Sequence, residues 1–313
     1  MTSNAPGHRS PLLVWGALVI VYVVWGSTYL GIKITVETVP PMLSGALRFV
    51  TAALILGGVL IARKGWAPFR MTRAQFGGAA LVGLLLLTTG NGMLAIAEQH
   101  VSSGLAALLV ASVPLWLVVF RIVVRDRPKV LTLAGVLVGF GGVAALSLNG
   151  GGGPTSTTGI VVVLAASLSW SVGSFLSARI PMPANPFAAS TIEMLVGGAG
   201  LAVTGTSLGE RLDIAAISGR SLTALVYLIL VGSLVGFTAF TWLLANAPIS
   251  LVSTYAYVNP AVAVVLGALI VNEHVSSQIV LGGVVILLGV ALVVSTERRP
   301  KAAQHPTPEE VRV

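Results

Sequence analysis

The sequence predicts an all-α polytopic membrane protein, with ten transmembrane helices arranged as two inverted five-helix repeats. Three observations carry this. Charged residues are only 9% of the 313 and hydrophobic ones 55%, with no cysteine. A soluble domain carries roughly 25% charge, so too little is present to cover a water-facing surface of this size. The apolar residues come in runs of about 18–23, the length that crosses a hydrocarbon core of roughly 30 Å as a helix. The second half also repeats landmarks of the first. In lipid only helices and closed barrels satisfy their backbone, and runs this long without alternation are helical.

Taken in order, the runs fall at 12–32, 42–61, 76–97, 104–124, 131–148, 159–178, 187–206, 222–245, 251–271 and 279–295. The first follows His8-Arg9 as a secretory leader would. It is long, however, and Trp25-Gly26-Ser27-Thr28 is not a small-x-small cleavage site, so it reads as a span. The connectors are short and hold the charges or helix breakers, as in Arg63-Lys64-Gly65 and Arg125-Asp126-Arg127-Pro128. The expected organisation is a tail at 1–11, a first repeat at 12–148, a Gly-rich linker at 149–158, a second repeat at 159–295 and a tail at 296–313.

Basic residues fix the expected orientation. One side carries Arg9, Arg63, Lys64, Arg70, Arg73, Arg121, Arg125, Arg127, Lys129, Arg179, Arg298, Arg299, Lys301 and Arg312. The other carries Lys33, Arg211 and Arg220, which makes 14 against 3 with Arg48 inside a span. The positive-inside rule places both termini in the cytoplasm of a bacterial-type inner membrane. It also accounts for the net charge of +8. These charges are scattered over short loops beside lipid, so they read as topology and contact with anionic lipid, not as a nucleic-acid surface.

The repeat is visible residue by residue. Trp25 falls on Trp170 and Pro41 on Pro186 at an offset of 145; Gly90 falls on Gly236 and Pro114 on Pro260 at 146; Gly135 and Gly142 fall on Gly282 and Gly289 at 147. Five spans is an odd number, so the second half enters the membrane from the opposite side. Inverted repeats of this kind are characteristic of secondary transporters, with the substrate path between the halves.

The ordered motifs Trp25-Gly26-Ser27-Thr28-Tyr29, Pro40-Pro41, Arg48-Phe49, the Gly-rich fifth span, Asn259-Pro260 and Glu273 resemble an EamA repeat. Over nearly its whole length the chain is similar to the EamA branch of the drug/metabolite transporter superfamily. Gly90-Asn91-Gly92-Met93, Ala97-Glu98 and the run from Ser253 to Pro260 look like its YedA-like exporters. The resemblance implies export of small metabolites, amino acids or drug-like compounds. The first half departs from the pattern, having Asp126-Arg127 where the second has Glu273.

Two ionisable residues stand out inside spans, Arg48 and Glu193, because a charge at a span centre costs about 2.5–3.5 kcal/mol. Both lie seven residues after their aligned prolines, which suggests a pair. Inversion argues otherwise, since it puts Arg48 toward one face and Glu193 toward the other, roughly 10 Å apart in height. Local partners are expected instead, Glu98 for Arg48 and Arg179 for Glu193. Proton coupling through Glu98 or Glu193 is then open, as buried carboxylates can titrate near neutral pH.

Pro114 and Pro260 each remove a helical hydrogen bond and are expected to kink their helices where a cavity accepts irregular backbone. The candidate substrate-binding set around them is Trp25, Thr28, Asn91, Ser112, Trp116, Trp170, Ser174, Tyr255, Tyr257 and Asn259. Tyr29 and Trp242, near span ends, read as interfacial anchors. Serine and threonine in spans often bond their own helix. A mostly apolar pocket with a few polar handles suits a small organic molecule. The glycines, as in Gly135-x-x-x-Gly139, read as points of close helix approach.

The partners implied are the bilayer and a small-molecule substrate, with no nucleic acid, no metal and no cofactor beyond a coupling proton; no oligomeric state is read from the chain. A lipid-modifying membrane enzyme needs an acidic or histidine cluster, and the ten acids and four histidines are dispersed. A scaffold normally carries a large extramembrane domain. A nucleotide-sugar or other phosphorylated-metabolite carrier, the main rival among transporters, would favour paired basic residues where Arg48 stands alone.

Overall fold

The computed structural model describes residues 11–125, 128–148, 156–247 and 255–296. Both expected tails, most of the linker, Asp126-Arg127 and the side chain of Tyr257 lie outside the described residues. Among those residues the regular structure is wholly helical. In chain order the helices are α1 (Pro11–Thr35), α2 (Pro41–Lys64), α3 (Arg73–Ala97), α4 (Ser103–Val123) and α5 (Val130–Leu148). There follow α6 (Thr157–Ser177), α7 (Pro186–Ser207), α8 (Gly219–Tyr227 running on through Gly236–Asn246), α9 (Tyr255–Val271) and α10 (Ser277–Thr296).

Eight described helices are long and apolar enough to cross a membrane; the apolar helices Val130–Ala145 and Val258–Val271, in α5 and α9, are shorter. Ten full-length spans were expected, so the observed count is coarser than the sequence reading. The outward faces carry large apolar side chains such as Leu54, Leu137, Val203, Leu269 and Leu281. That is the surface a lipid-facing bundle presents, where water would penalise it.

The helix starts follow local chemistry. Pro41 and Pro186 occupy first-turn positions that need no donor. Thr72 and Gln75 make a reciprocal capping box for α3, and Asn185 Oδ1 accepts from Phe187 and Ala188 N–H at the start of α7. Two caps come from far along the chain. Glu210, in the α7–α8 loop, accepts from Met42 and Leu43 N–H at 3.1 and 2.9 Å. Glu273, just after α9, accepts from Ser103 N–H and Oγ–H at 2.8 and 2.9 Å and from Gly104 N–H at 3.3 Å. These carboxylates meet the donor ends of α2 and α4, where helix dipoles favour anions. Glu273 thus caps the entry of α4.

Packing is pairwise. α2 lies against α7 and α5 against α10; α1 packs on α8 and α9, and α6 packs on α3 and α4. Glycines set the closest approach. A Cβ at Gly289 would sit 2.4 Å from Gly139 N and 2.8 Å from Gly135 O, so the α5 and α10 backbones touch there.

Two distortions position the centre. Leu84–Asn91 of α3 and Leu228–Val235 of α8 are π-helical, a geometry that frees carbonyls and recurs at functional sites. Thr89 Oγ1 meets two of those carbonyls, donating to Leu85 O at 2.7 Å and reaching Leu84 O at 3.2 Å. The helical segments of α4 stop at Val110 and resume at Val113, with Pro114 in the new first turn. Pro114 therefore follows a break, where a kink in a continuous helix was expected. Pro260 lies inside α9.

Candidate functional site

One cavity of about 100 Å³ sits among α1, α2, α3, α4, α6, α8 and α9. Its lining includes Trp25, Thr28, Tyr29, Arg48, Phe49, Asn91, Val110, Ser167, Trp170, Phe237, Tyr255, Asn259 and Pro260. Of the ten sequence candidates, the structure brings six together: Trp25, Thr28, Asn91, Trp170, Tyr255 and Asn259. Ser112, Trp116 and Ser174 do not line it. Trp116 packs edge-on against Phe140 at 4.8 Å, and its Nε1 and Ser112 Oγ are buried without hydrogen bonds. Their neighbours Val110, Ala111 and Val113 do line the cavity. Tyr257 lies outside the described side chains.

The aromatic wall is built around Trp25. Its ring lies edge-on to Phe237 at 5.7 Å and Tyr255 at 5.4 Å, and tilted on Phe240 at 4.7 Å. Such offset contacts add stability beyond burial and leave ring faces for a ligand. Tyr29, expected as an interfacial anchor, is instead part of the lining. Trp242 packs with the Leu18, Val21 and Leu243 cluster.

The polar handles divide into held and free. Thr28 Oγ1 donates to Trp25 O at 2.6 Å within its own helix. With its amide turned so that Nδ2 faces these acceptors, Asn259 donates to Tyr22 O of α1 and to Tyr255 O of its own helix, each at 3.2 Å. Asn91, at the end of the α3 π segment, makes no side-chain hydrogen bond among the described residues and faces the cavity.

The buried charges depart from the expected pairing. Arg48, 6% exposed, donates Nε–H to Ser233 Oγ at 2.9 Å and lies 4.7 Å over the Phe49 ring. No ion pair joins it to Glu98, whose two carboxylate oxygens are buried without a hydrogen bond. Arg48 sits on α2 and Glu98 at the end of α3, and the guanidinium turns to Ser233 of α8 and not to the carboxyl. Arg179 lies 3.5 Å over the Phe175 ring and donates Nη1–H to Phe175 O at 3.1 Å. Its expected bridge to Glu193 is likewise absent among the described residues.

Glu98 lies one residue beyond the membrane-length stretch Arg73–Ala97. Burial pushes its carboxyl above the usual carboxylate range; Lys33 opposes this, Glu273 adds to it, and Arg48 opposes it. Lys33 Nζ–H donates to the main-chain carbonyls of Glu98 and, at 2.9 Å, Val101. The α3–α4 connector is thereby pinned to α1 without neutralising the acid.

A membrane-length helical bundle enclosing a partly aromatic cavity defines a polytopic membrane protein. The model of the EamA-like transporter family matches the chain twice, over residues 13–148 and 157–295, and the chain belongs to that family. It is a membrane transporter of the drug/metabolite type. The inner membrane transporter YedA of Escherichia coli K12 is 38% identical over 91% of this chain and 92% of its own length. The transporter YvbV of Bacillus subtilis is 22% identical over 95% of each. The WAT1-related chloroplastic protein At3g02690 of Arabidopsis thaliana is 24% identical over 92% of this chain and 70% of its own. One solved crystal structure shares the fold, with a TM-score of 0.64 at 21% identity over 92% of this chain and 98% of that one.

The sequence reading missed Tyr29, Phe237 and Ser233 as parts of this constellation. Arg48 was singled out by its cost, but for the ends of the bundle and not for the cavity. A signal for Phe237 existed, since it follows Gly236, the repeat partner of Gly90.

Proposed function

We propose that this chain is a secondary transporter that exports small organic molecules by alternating access between two inverted five-helix halves. Ten crossings with both termini in the cytoplasm complete the reading. The observation that carries it is the cavity itself, walled by α1 to α4 from one half and α6, α8 and α9 from the other. The paired distortions support inversion: the π segments start at Leu84 and Leu228, and α1 packs on α8 and α9 as α6 packs on α3 and α4. A phosphorylated-metabolite carrier is disfavoured because Arg48 is the one basic group among the described lining.

Reconstituted protein screened by counterflow against amino acids, purines and cationic dyes, with and without a pH gradient, tests this directly. Failure to accelerate exchange of any class over empty vesicles rejects the transporter reading for those substrates. Replacing Asn91 by Ala is expected to lower transport severalfold with the folded yield unchanged. Asn259→Ala is expected to lower the folded yield as well, through loss of about 1 kcal/mol of stability with its one hydrogen bond to Tyr22 O of α1. Equal folded yields for the two variants contradict that distinction.

Glu98 is the coupling group in this reading, facing Lys33, Glu273 and Arg48. Its folded-state affinity for a proton exceeds the unfolded one, so the folded protein binds the extra proton between the two values. Stability is therefore full below the usual carboxylate range and falls as pH rises through the folded value. Glu98→Gln, fixed neutral, is expected to flatten the decline of Tm as pH rises above the usual carboxylate range and to remove stimulation of transport by a pH gradient. A Tm slope identical to that of the unaltered protein argues against Glu98 as the titrating group.

A further inference from the structure

We infer that the cavity recognises its substrate by a single carboxylate, held on Arg48, with the apolar remainder of the molecule against the aromatic wall. The inference deepens the transporter reading and rests on it. Arg48 is the sole charged residue among the described lining, and it is a cation buried to 94% by its surroundings inside a membrane-length helix. Such a charge is retained where it has work or a partner. Among the described residues its one hydrogen bond uses Nε, donated to Ser233 Oγ.

The two terminal guanidinium nitrogens have no carboxylate within ion-pair distance, and neither is orphaned in a sealed site, because they border the cavity. A Cβ added at Gly232 would lie 3.3 Å from Nη2, so the small residue before Ser233 leaves the head its room. Anchoring Nε fixes the plane of the fork and leaves its two ends parallel, the geometry that matches one carboxylate bidentately. A doubly charged phosphate would leave charge unmatched by one guanidinium. The same lining holds Trp25, Trp170, Phe237 and Tyr255, which suit an apolar or aromatic body. Ser233 is a positioning residue here: it touches Arg48 and not the substrate.

The test uses purified full-length protein and three probes of matched shape: 3-phenylpropionate, its amide, and 3-phenylpropylamine. Binding is read from the quenching of tryptophan fluorescence, since Trp25 and Trp170 line the cavity. The carboxylate is expected to bind about tenfold tighter than the amide, 1.4 kcal/mol being one factor of ten, with the amine weakest. Arg48→Gln is expected to bring the acid-to-amide ratio near one, Arg48→Lys to retain part of it, and Ser233→Ala to reduce it with the charge still present. Equal binding of acid and amide by the unaltered protein overturns the inference without any variant, as does a ratio that survives Arg48→Gln. Preference for the amine overturns it too. If no probe quenches in protein that performs counterflow, only the carboxylate assignment fails. If counterflow is also absent, the transporter reading fails with it.

Discussion

Gly289→Ala is expected to eliminate most of the folded protein, while Gly77→Ala leaves it intact or slightly stabilised. At Gly289 the added carbon would lie 2.4 Å from Gly139 N, 2.5 Å from Gly139 Cα and 2.8 Å from Gly135 O. All three are backbone atoms of α5, so no side chain can rotate away and the two helices must separate along their contact. Overpacking typically costs about 1–3 kcal/mol, and a clash confined to backbone belongs at or above the upper end. The reciprocal contact from α5 is as tight, with a Cβ at Gly135 falling 2.9 Å from Gly289 O. Gly77 has nothing within 4 Å of the same added atom, and alanine gains up to about 1 kcal/mol of helix propensity over glycine. Size-exclusion profiles and Tm of the two variants measure the contrast. A Gly289→Ala protein with unaltered Tm would mean that α5 and α10 do not meet at this glycine.

The second large effect belongs to Glu273. Its carboxylate accepts three hydrogen bonds from Ser103 and Gly104, two of them main-chain donors at the buried start of α4. Hydrogen bonds to a charged group contribute about 1.5–3 kcal/mol, and loss of an N-terminal cap about 0.5–2. Glu273→Ala is therefore expected to destabilise the protein by about 2–3 kcal/mol. Glu273→Gln keeps one acceptor but presents an amide donor to the other N–H, and should fall between. The contact ties the end of α9 to the start of α4, beside the Lys33 bonds that tie α1 to the α3–α4 connector. Releasing it should loosen that end of the cavity as well as lower Tm. The chain has no cysteine, so Ala107→Cys, which faces the cavity, gives a clean reporter. Maleimide labelling of this cysteine is expected to be faster in the Glu273→Ala background. Unchanged labelling together with a lowered Tm would leave Glu273 as a cap alone.

Depth was legible in the sequence, and direction was not. Counting residues from Pro41 placed Arg48 inside α2, and the cost of burying its charge marked it correctly as a residue needing an explanation. The count could not say that its head turns to Ser233 of α8 and the cavity. Glu98 and Arg48 were joined because their heights agreed. The guanidinium is instead taken by Ser233, 185 residues further along the chain, a partner that height alone does not single out. Ser112 and Trp116 were assigned to the cavity from their nearness to Pro114, yet neither lines it, and Trp116 packs on Phe140 instead. Tyr29 looked like a belt residue from its place near a span end, and packing turned it inward.

Composition, run length and the recurrence of landmarks at 145 to 147 residues determined the class of protein and the family it resembles. These follow from the chain alone because matching apolar length to a bilayer is a one-dimensional requirement that each helix meets on its own. The tertiary structure alone decided which residues share the cavity, leaving Asn91 free, Asn259 bound between α1 and α9, and Arg48 facing the interior. Those outcomes depend on helix rotation and on contacts between segments more than a hundred residues apart, set by backbone approach at glycines and by the distortions of α3, α4 and α8.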